Sequence, residues 1–275
     1  MRENKMKIRK LDQSEHWKTR SLWEQVFSED SQEFVDYYYY IKTKDNTIYV
    51  IEEDDEIRAM LQLNPYQVKL QESVVPSDYI VGVATQAEYR GRGYMRNLLI
   101  HALQDQYSQK MPFTFLMPAS ESIYTPFDFV WISPFTELPM RVTHLDADGQ
   151  NRYLASRYQL FCKRDARYME NLKAEHLAEV GEAPMDEMPP FMARITDVEQ
   201  MLRLTSSREK KTIWLHVKDE VIEKNNGYFC WRMGPDSSKA EKLEEVPAQI
   251  DLELTVGELT AMIFESFKIC LSEVV

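Results

Sequence analysis

The stretch Tyr79-Ile-Val-Gly-Val-Ala-Thr-Gln-Ala-Glu-Tyr-Arg90-Gly-Arg-Gly93-Tyr-Met-Arg-Asn-Leu-Leu99 reads as a buried strand, a tight glycine-bearing turn and the start of an amphipathic helix. Its apolar run Ile80-Val-Gly-Val-Ala84 is too short for an independent helix and rich in β-branched residues, which predicts a central strand. After Gly93 the apolar positions Met95, Leu98, Leu99, Ala102 and Leu103 fall on one face of a helical period. A turn between such a strand and helix leaves the first helical N–H groups without intrahelical partners, at the positive end of the macrodipole. Phosphate oxygens satisfy both conditions. Gly91 and Gly93 let the backbone approach an anion with no Cβ in the way, and Arg90 and Arg92 can add charge-assisted bonds. Residues 90–95 are therefore read as a pocket for a diphosphate. The competing reading is an ordinary strand-to-helix turn with two solvated arginines.

A chain of 275 residues suits one large or two modest domains, and 44% hydrophobic against 28% charged residues allows a real core. The net charge of -12 argues against a nucleic-acid backbone or an anionic membrane as partner and favours a cationic ligand. No stretch approaches the roughly 18 to 20 apolar residues of a spanning helix. The start of the chain, Met1-Arg-Glu-Asn-Lys5, lacks an apolar signal core, so a cytoplasmic location is expected. Cys162, Cys230 and Cys270 are odd in number and widely spaced, which predicts buried free thiols and calls for neither a disulfide framework nor a metal.

Along the chain, residues 6–11 read as a strand, Ser14 as the cap of a helix carrying Trp17, Leu22, Trp23, Val26 and Phe27, and Ser31 as the cap of a second helix reaching Ile41. Alternation over 47–53 and 56–70, with Asp54-Asp55 between, predicts an antiparallel hairpin. The strand and helix of the quoted stretch follow, then a short buried strand at Phe113–Pro118, for an order β-α-α-β-β-β-α-β in about 135 residues. Beyond Arg141 the character changes. Asp146-Ala-Asp-Gly149 reads as a turn and 150–180 as helical, with Asp165 capping a stripe of Tyr168, Met169, Leu172, His176 and Leu177 that Gly181 ends. Glu182–Pro190 is a proline-rich acidic linker. From Phe191 a strand, a short helix from Asp197, strands at 213–222 and 227–233 joined by an Asn225-Asn226-Gly227 turn, a strand at Gln249–Leu254 and a helix over Val256–Phe267 are predicted. No internal repeat is visible.

The N-terminal order and the arginine-glycine turn resemble the GNAT superfamily of acyl-CoA N-acyltransferases. The superfamily signature of Arg or Gln, two residues, Gly, one residue, Gly or Ala maps onto Arg90, Gly93 and Met95. Met95 departs from the small final residue, and one branch, the Eis-type aminoglycoside and lysine N-acetyltransferases, commonly has a larger aliphatic residue there. The segment Pro118-Ala-Ser-Glu-Ser-Ile-Tyr124-Thr-Pro-Phe127-Asp-Phe129 is similar to a later segment of that branch, and Ala193–Val198 and Ile250–Leu254 are similar to its sterol-carrier-like C-terminal domain. The resemblance implies a mixed α/β chain. A GNAT acyl-CoA N-acyltransferase fold would occupy 1–145, a helical connector and linker 146–190, and a smaller sterol-carrier-like domain 191–275. About 40 residues cannot hold the branch's middle GNAT-like domain, so its hexamer is not carried over and the order of any homo-oligomer stays open.

The resemblance also implies site residues. Backbone groups of Val81 and Val83 would bond the pantetheine arm of acetyl-CoA, and Arg90, Gly91, Arg92, Gly93, Tyr94 and Met95 would take its diphosphate. Tyr124 matches the tyrosine that protonates the departing thiolate, and an ordinary phenol is protonated at neutral pH. The α-carboxylate of Val275 matches the base that receives the amine's proton, with Glu121 as an alternative and a frayed tail as the competing reading. Neither His101 nor His144 sits in a catalytic spacing. Tyr37 to Tyr40 are consecutive and cannot share one helical face, so some pack in the core while others are exposed or line a cation-holding cleft.

These residues lead to an acetyl-CoA-dependent N-acetyltransferase acting directly, in a ternary complex, on a primary amine of a cationic small molecule (aminoglycoside- or polyamine-like) or on a lysine side chain. A CoA-binding regulatory or sensor protein without turnover is the alternative. The C-terminal domain is read as a scaffold carrying the terminal carboxylate, against a hydrophobic-ligand carrier.

Overall fold

A computed structural model describes residues 6–178, 188–235 and 237–275. The chain runs through β1 (Lys7–Lys10), α1 (Arg20–Val26), α2 (Gln32–Tyr40), β2 (Thr47–Glu53), β3 (Glu56–Leu70), β4 (Ser73–Thr85), α3 (Tyr94–Ser108) and β5 (Phe113–Leu116), the order expected from the sequence. Asp54 and Asp55, at φ 58° and 60°, make the tight β2–β3 turn. Ser31 caps α2 by accepting from the Phe34 N–H at 3.1 Å. There follow α4 (Glu121–Tyr124), β6 (Val130–Ser133), α5 (Met140–Thr143), α6 (Ala147–Ala155), β7 (Leu160–Cys162), α7 (Ala166–Ala178), β8 (Phe191–Ile195), α8 (Val198–Leu204), β9 (Lys211–Lys218), β10 (Gly227–Met233), β11 (Ser238–Leu243), β12 (Leu252–Thr255), α9 (Val256–Glu265) and β13 (Ile269–Cys270).

Several expectations are corrected. Asp12, with Glu15 in a capping box, starts the first helical segment in place of Ser14, and that segment is 3₁₀ over Gln13–Thr19, leaving Trp17 67% exposed. Asp146 is a helix cap, accepting from Gly149 N–H at 2.8 Å, where a turn was expected. The helical reading of 150–180 is interrupted by β7. Asp165 does cap α7, yet His176 and Leu177 of the expected stripe face solvent and Glu175 is the buried residue. Gly181 and the linker residues 182–187 lie outside the described residues. Strand β9 stops at Lys218, and β12 begins only at Leu252. Asn225 and Asn226 do not form a two-residue turn. The carboxylate of Asp219 accepts from the Val221 and Ile222 N–H groups and from Asn225 Nδ2 at 2.8–2.9 Å, which holds residues 219–226 as a wider loop. The three cysteines are buried free thiols, as expected.

The larger sheet has the order β1-β2-β3-β4-β5-β8-β6. Along this path every pair is antiparallel except β4 with β5. Strand β3 is long enough to hold β2 along its first half and β7 along Val68–Leu70, and β13 adds parallel to β7. The smaller sheet is β11-β10-β9-β12. Strand β8, sequence Phe-Met-Ala-Arg-Ile, sits between β5 and β6 with every residue buried, so the larger sheet crosses the division expected at 190/191. One hydrophobic core joins the two sheets, with Phe113 of β5 against Phe264 of α9 at 5.2 Å between ring centroids.

Arg194 fastens that junction. Its guanidinium is fully buried and donates to Phe127 O at 2.7 Å, to Ile195 O at 2.8 Å and to Asp219 Oδ1 at 2.6 Å. Removing one member of such a pair strands a buried charge. The Asp219→Ala variant is expected to lose about 3–5 kcal/mol of unfolding free energy by urea denaturation, whereas Lys218→Ala, at an exposed ion pair with Glu253, is expected to leave the denaturation midpoint nearly unchanged.

Candidate active site

The site begins with a fault in β4. Met60 pairs with Ala84 and Gln62 with Val81, so Leu61 faces both Gly82 and Val83 in a β-bulge. Gly82 has φ 58°, and a Cβ there would stand 2.6 Å from the indole of Trp23 on α1. Only glycine meets both conditions. Pairing of β4 with β5 stops in the same place: Tyr79 opposes Phe115 and Ile80 opposes Leu116, the last residue of β5, while β4 continues to Thr85. Val81 and Val83, both half-buried, therefore lie on a stretch of β4 that has no β5 partner. Unpaired strand groups of this kind are donors and acceptors for an extended ligand.

Beyond that edge the chain makes the turn to α3. Gly91 and Gly93 have φ 77° and 80°, and a Cβ on either would meet nothing within 4 Å. Their requirement is conformational, and the space over them is open. Gly93 is the N-cap of the 15-residue α3, with no side chain bonding its first turn and no acidic residue within it. The uncapped N–H groups with their dipole fit a diphosphate. Arg90 Nε donates to Thr85 O at 3.3 Å and Arg92 Nη2 to Glu88 O at 3.2 Å, so in this state both exposed arginines brace the turn. The Tyr94 hydroxyl donates to Glu53, and Met95 packs on the core, leaving their main-chain groups toward the turn.

Tyr124 lies after β5, at the end of α4. It is 7% exposed, its ring packs edge-on to Phe129 at 5.8 Å, and no hydrogen bond to its hydroxyl is present among the described residues. Burial alone pushes its pKa up to about 12. A packing tyrosine would be expected to satisfy its hydroxyl. This one is a protonated phenol with its donor uncommitted. Its neighbour Tyr79 stacks on Phe115 at 5.1 Å and 3°. Glu121 is exposed at the start of α4.

The end of the sequence is docked. Val275 is 6% exposed, its side chain packs in a cluster with Val81, Trp23 and Tyr38, and its main-chain oxygen accepts from Tyr66 Oη at 2.6 Å. Tyr79 Oη donates to Val274 O at 3.0 Å. Arg164, Tyr168 and the buried Glu273 hold the preceding residues, with Arg164 Nη1 and Tyr168 Oη each 2.8 Å from Glu273 Oε1. Lys42 Nζ donates to Tyr66 Oη at 2.7 Å. Behind these groups lies a cavity of about 260 Å³ lined by Lys42, Tyr66, Glu175 and Val275 among others.

The four tyrosines of α2 divide between core and surface, as expected, and the cation-holding cleft is not among their places. Tyr37, Tyr38 and Tyr39 are buried, and Tyr40 is 66% exposed beside Arg20. The buried hydroxyls are satisfied by Glu175, by Gln62 with Asn64, and by Thr19 respectively, and none of the four lines the cavity. Tyr38 and Tyr39 pack on Trp23 and so back the wall behind Gly82. Tyr66, Tyr79, Lys42 and Glu175 were not singled out by sequence reading, because distant segments bring them together. Gly82 did carry a legible signal, since an isolated glycine in a strand pattern marks a bulge.

Residues 7–132, which supply the bulge, the turn and Tyr124, match the model of the acetyltransferase (GNAT) domain. This part of the chain is a GNAT acetyltransferase domain. Residues 198–269 match the sterol carrier protein domain. A probable N-acyltransferase from Enterococcus faecalis superposes on the whole arrangement with a TM-score of 0.68 at 14% identity, covering 94% of this chain and 90% of that one. A GCN5-related N-acetyltransferase from Anabaena variabilis gives 0.66 at 14% identity over 94% and 90%, and Eis1 from Mycobacterium abscessus gives 0.63 at 13% over 94% and 89%. At these identities the likeness is one of fold. No curated protein matches the sequence. Among the described residues no helix is long and apolar enough to cross a membrane, and no cluster of metal-ligating side chains is present.

The bulge of the GNAT domain makes a sharp test of the site's construction. Gly82→Ala is expected to cost at least about 2 kcal/mol, the sum of a left-handed backbone and an overpacked contact. In a Trp23→Leu background the added cost of Gly82→Ala should shrink in a double-mutant cycle. An unchanged cost there would mean that the indole is not what the methyl group meets.

Proposed function

We propose that this protein is an acetyl-CoA-dependent N-acetyltransferase that transfers acetyl directly to a primary amine, and the observation carrying the reading is the unpaired β4 edge that leads straight into the open N-terminus of α3. Acetyl-CoA supplies an activated acyl group with a thiolate leaving group. Main-chain groups of Val81 and Val83 bond the extended pantetheine arm as a missing strand would. Residues Arg90 to Met95 hold the diphosphate, with the helix N–H groups supplying most of the field and Arg90 and Arg92 swinging from their main-chain acceptors to add charge.

Tyr124 protonates the departing thiolate. Its uncommitted hydroxyl and a pKa of about 12 keep the proton available through the neutral and mildly alkaline range, and the acid is lost only as pH rises through that value. The α-carboxylate of Val275 receives the proton of the attacking amine. Its hydrogen bond from Tyr66 fixes its position, and its packing beside Val81 brings it to the donor strand. Glu121 is exposed and lacks any comparable support. The acceptor is a cationic small molecule of aminoglycoside or polyamine type, or a lysine side chain, in keeping with the net charge of -12.

The experiment is thiol release from acetyl-CoA against a panel of amines, run beside equilibrium binding of acetyl-CoA. Tyr124→Phe is expected to lower kcat by about 100-fold or more while leaving acetyl-CoA affinity within about twofold. Binding of acetyl-CoA with no amine accepted would overturn the enzymatic reading in favour of a CoA sensor. Absence of acetyl-CoA binding would overturn the assignment of the β4 edge and the α3 turn.

A further inference from the structure

The base proposed above faces a difficulty that the fold answers. A carboxylate behind the donor strand must lose the proton it collects before the next turnover, and Val275, 6% exposed, borders the cavity that Tyr66 and Lys42 also line. The groups behind it form a chain: Tyr66 Oη lies 2.6 Å from the Val275 oxygen, Lys42 Nζ lies 2.7 Å from Tyr66 Oη, and Lys42 lines the cavity of about 260 Å³. Such a volume holds several waters. Lys42 is itself buried, reaching this place from just after α2 with its ammonium 4.6 Å from the Tyr66 ring centre.

We propose that Tyr66 and Lys42 are a proton relay that empties the Val275 carboxyl into this cavity. The proposal rests on the reading of Val275 as the base. Once the carboxylate has taken the amine's proton, the Lys42 ammonium gives a proton to cavity water, and the Tyr66 hydroxyl turns and passes its own proton to the Nζ so vacated while its oxygen receives the proton of the Val275 carboxyl. Val275 is again a carboxylate, Tyr66 a phenol and Lys42 an ammonium, with no net change in the chain.

Two features suit Lys42 to this role. Desolvation lowers its pKa below that of an ordinary lysine, opposed by the carboxylates of Glu175 on α7, Glu273 in the tail and Asp45 in the following turn, and by Cys162 on β7. Tyr66 is held well above the ordinary phenol range by burial, so it transfers protons without resting as a phenolate. A lysine kept only to neutralise charge would serve as well if it were arginine, which does not give up its proton in proteins.

That difference supplies the test. In the full-length protein with saturating acetyl-CoA and amine, Lys42→Ala and Tyr66→Phe are each expected to lower kcat by about 10-fold or more, with acetyl-CoA affinity unchanged. Lys42→Arg should be as slow as Lys42→Ala. Imidazole added to Lys42→Ala should restore part of the rate by accepting the proton in the vacated space, and far-UV circular dichroism melts identify any variant that is slow because it is unfolded. Full activity in Lys42→Arg, or in folded Tyr66→Phe, would overturn the relay. A few residues added after Val275 separate the two readings. If that extension leaves kcat intact, the base assignment fails. If it abolishes turnover while the Lys42 and Tyr66 variants stay fast, the base stands and the relay falls.

Discussion

The contact between the Gly82 backbone and the face of Trp23 governs the geometry of everything around it. Because the indole occupies the place of a side chain, β4 bulges at Gly82 and Val83, and β5 has already stopped two residues earlier at Leu116 opposite Ile80. A regular strand would have continued pairing and closed the space. The aromatic wall behind it, Trp23 with Tyr38 at 4.4 Å and Phe27 at 5.0 Å, is rigid because ring packing and hydroxyl bonds fix it from both sides. The turn of the quoted stretch is then aimed by β4, and its glycines provide the backbone shape while the helix provides the field.

A second constraint acts from the other end of the chain. The long β3 offers a free margin beyond β2, and β7 and then β13 fill it. This lays the final residues across Tyr66 and Tyr79, two ring-bearing positions on adjacent strands whose hydroxyls each bond the tail. Glu273 is the anchor. It would be costly to bury alone, and Arg164 and Tyr168 make it affordable. The result is a tail whose last residue belongs to the same cluster as the donor strand.

The quoted stretch disclosed its strand, turn and helix because each rests on local chemistry: β-branched residues, glycines at left-handed positions and a helical period. The hairpin of 47–70 and the caps at Ser31, Asp165 and Asp197 were legible for the same reason. What the sequence concealed was tertiary. Nothing in Phe191–Ile195 marks it as a strand for the first sheet in place of the second, and the burial of its Arg194 became intelligible only beside Asp219. Asn225-Asn226-Gly227 carried a turn signal, yet Asp219 took both asparagines for its own loop. Ser14 lost to Asp12 because a carboxylate with Glu15 in reach makes the better box. At the site, Tyr124 could be chosen by motif, whereas the freedom of its hydroxyl could be seen only in three dimensions.

The placement of β8 also bears on how the chain acquires its structure. β5 is completed by residues about eighty positions later, and β3 by a strand about ninety positions later, so much of the first sheet is closed by long loops. Closure of this kind is slow to nucleate, and a nascent chain emerging from the ribosome would hold β5 with an open margin until Ile195 had appeared. The catalytic module is thereby bound to the synthesis of the one that follows it, and cutting the gene between them would yield a sheet with an exposed hydrophobic edge rather than a smaller enzyme.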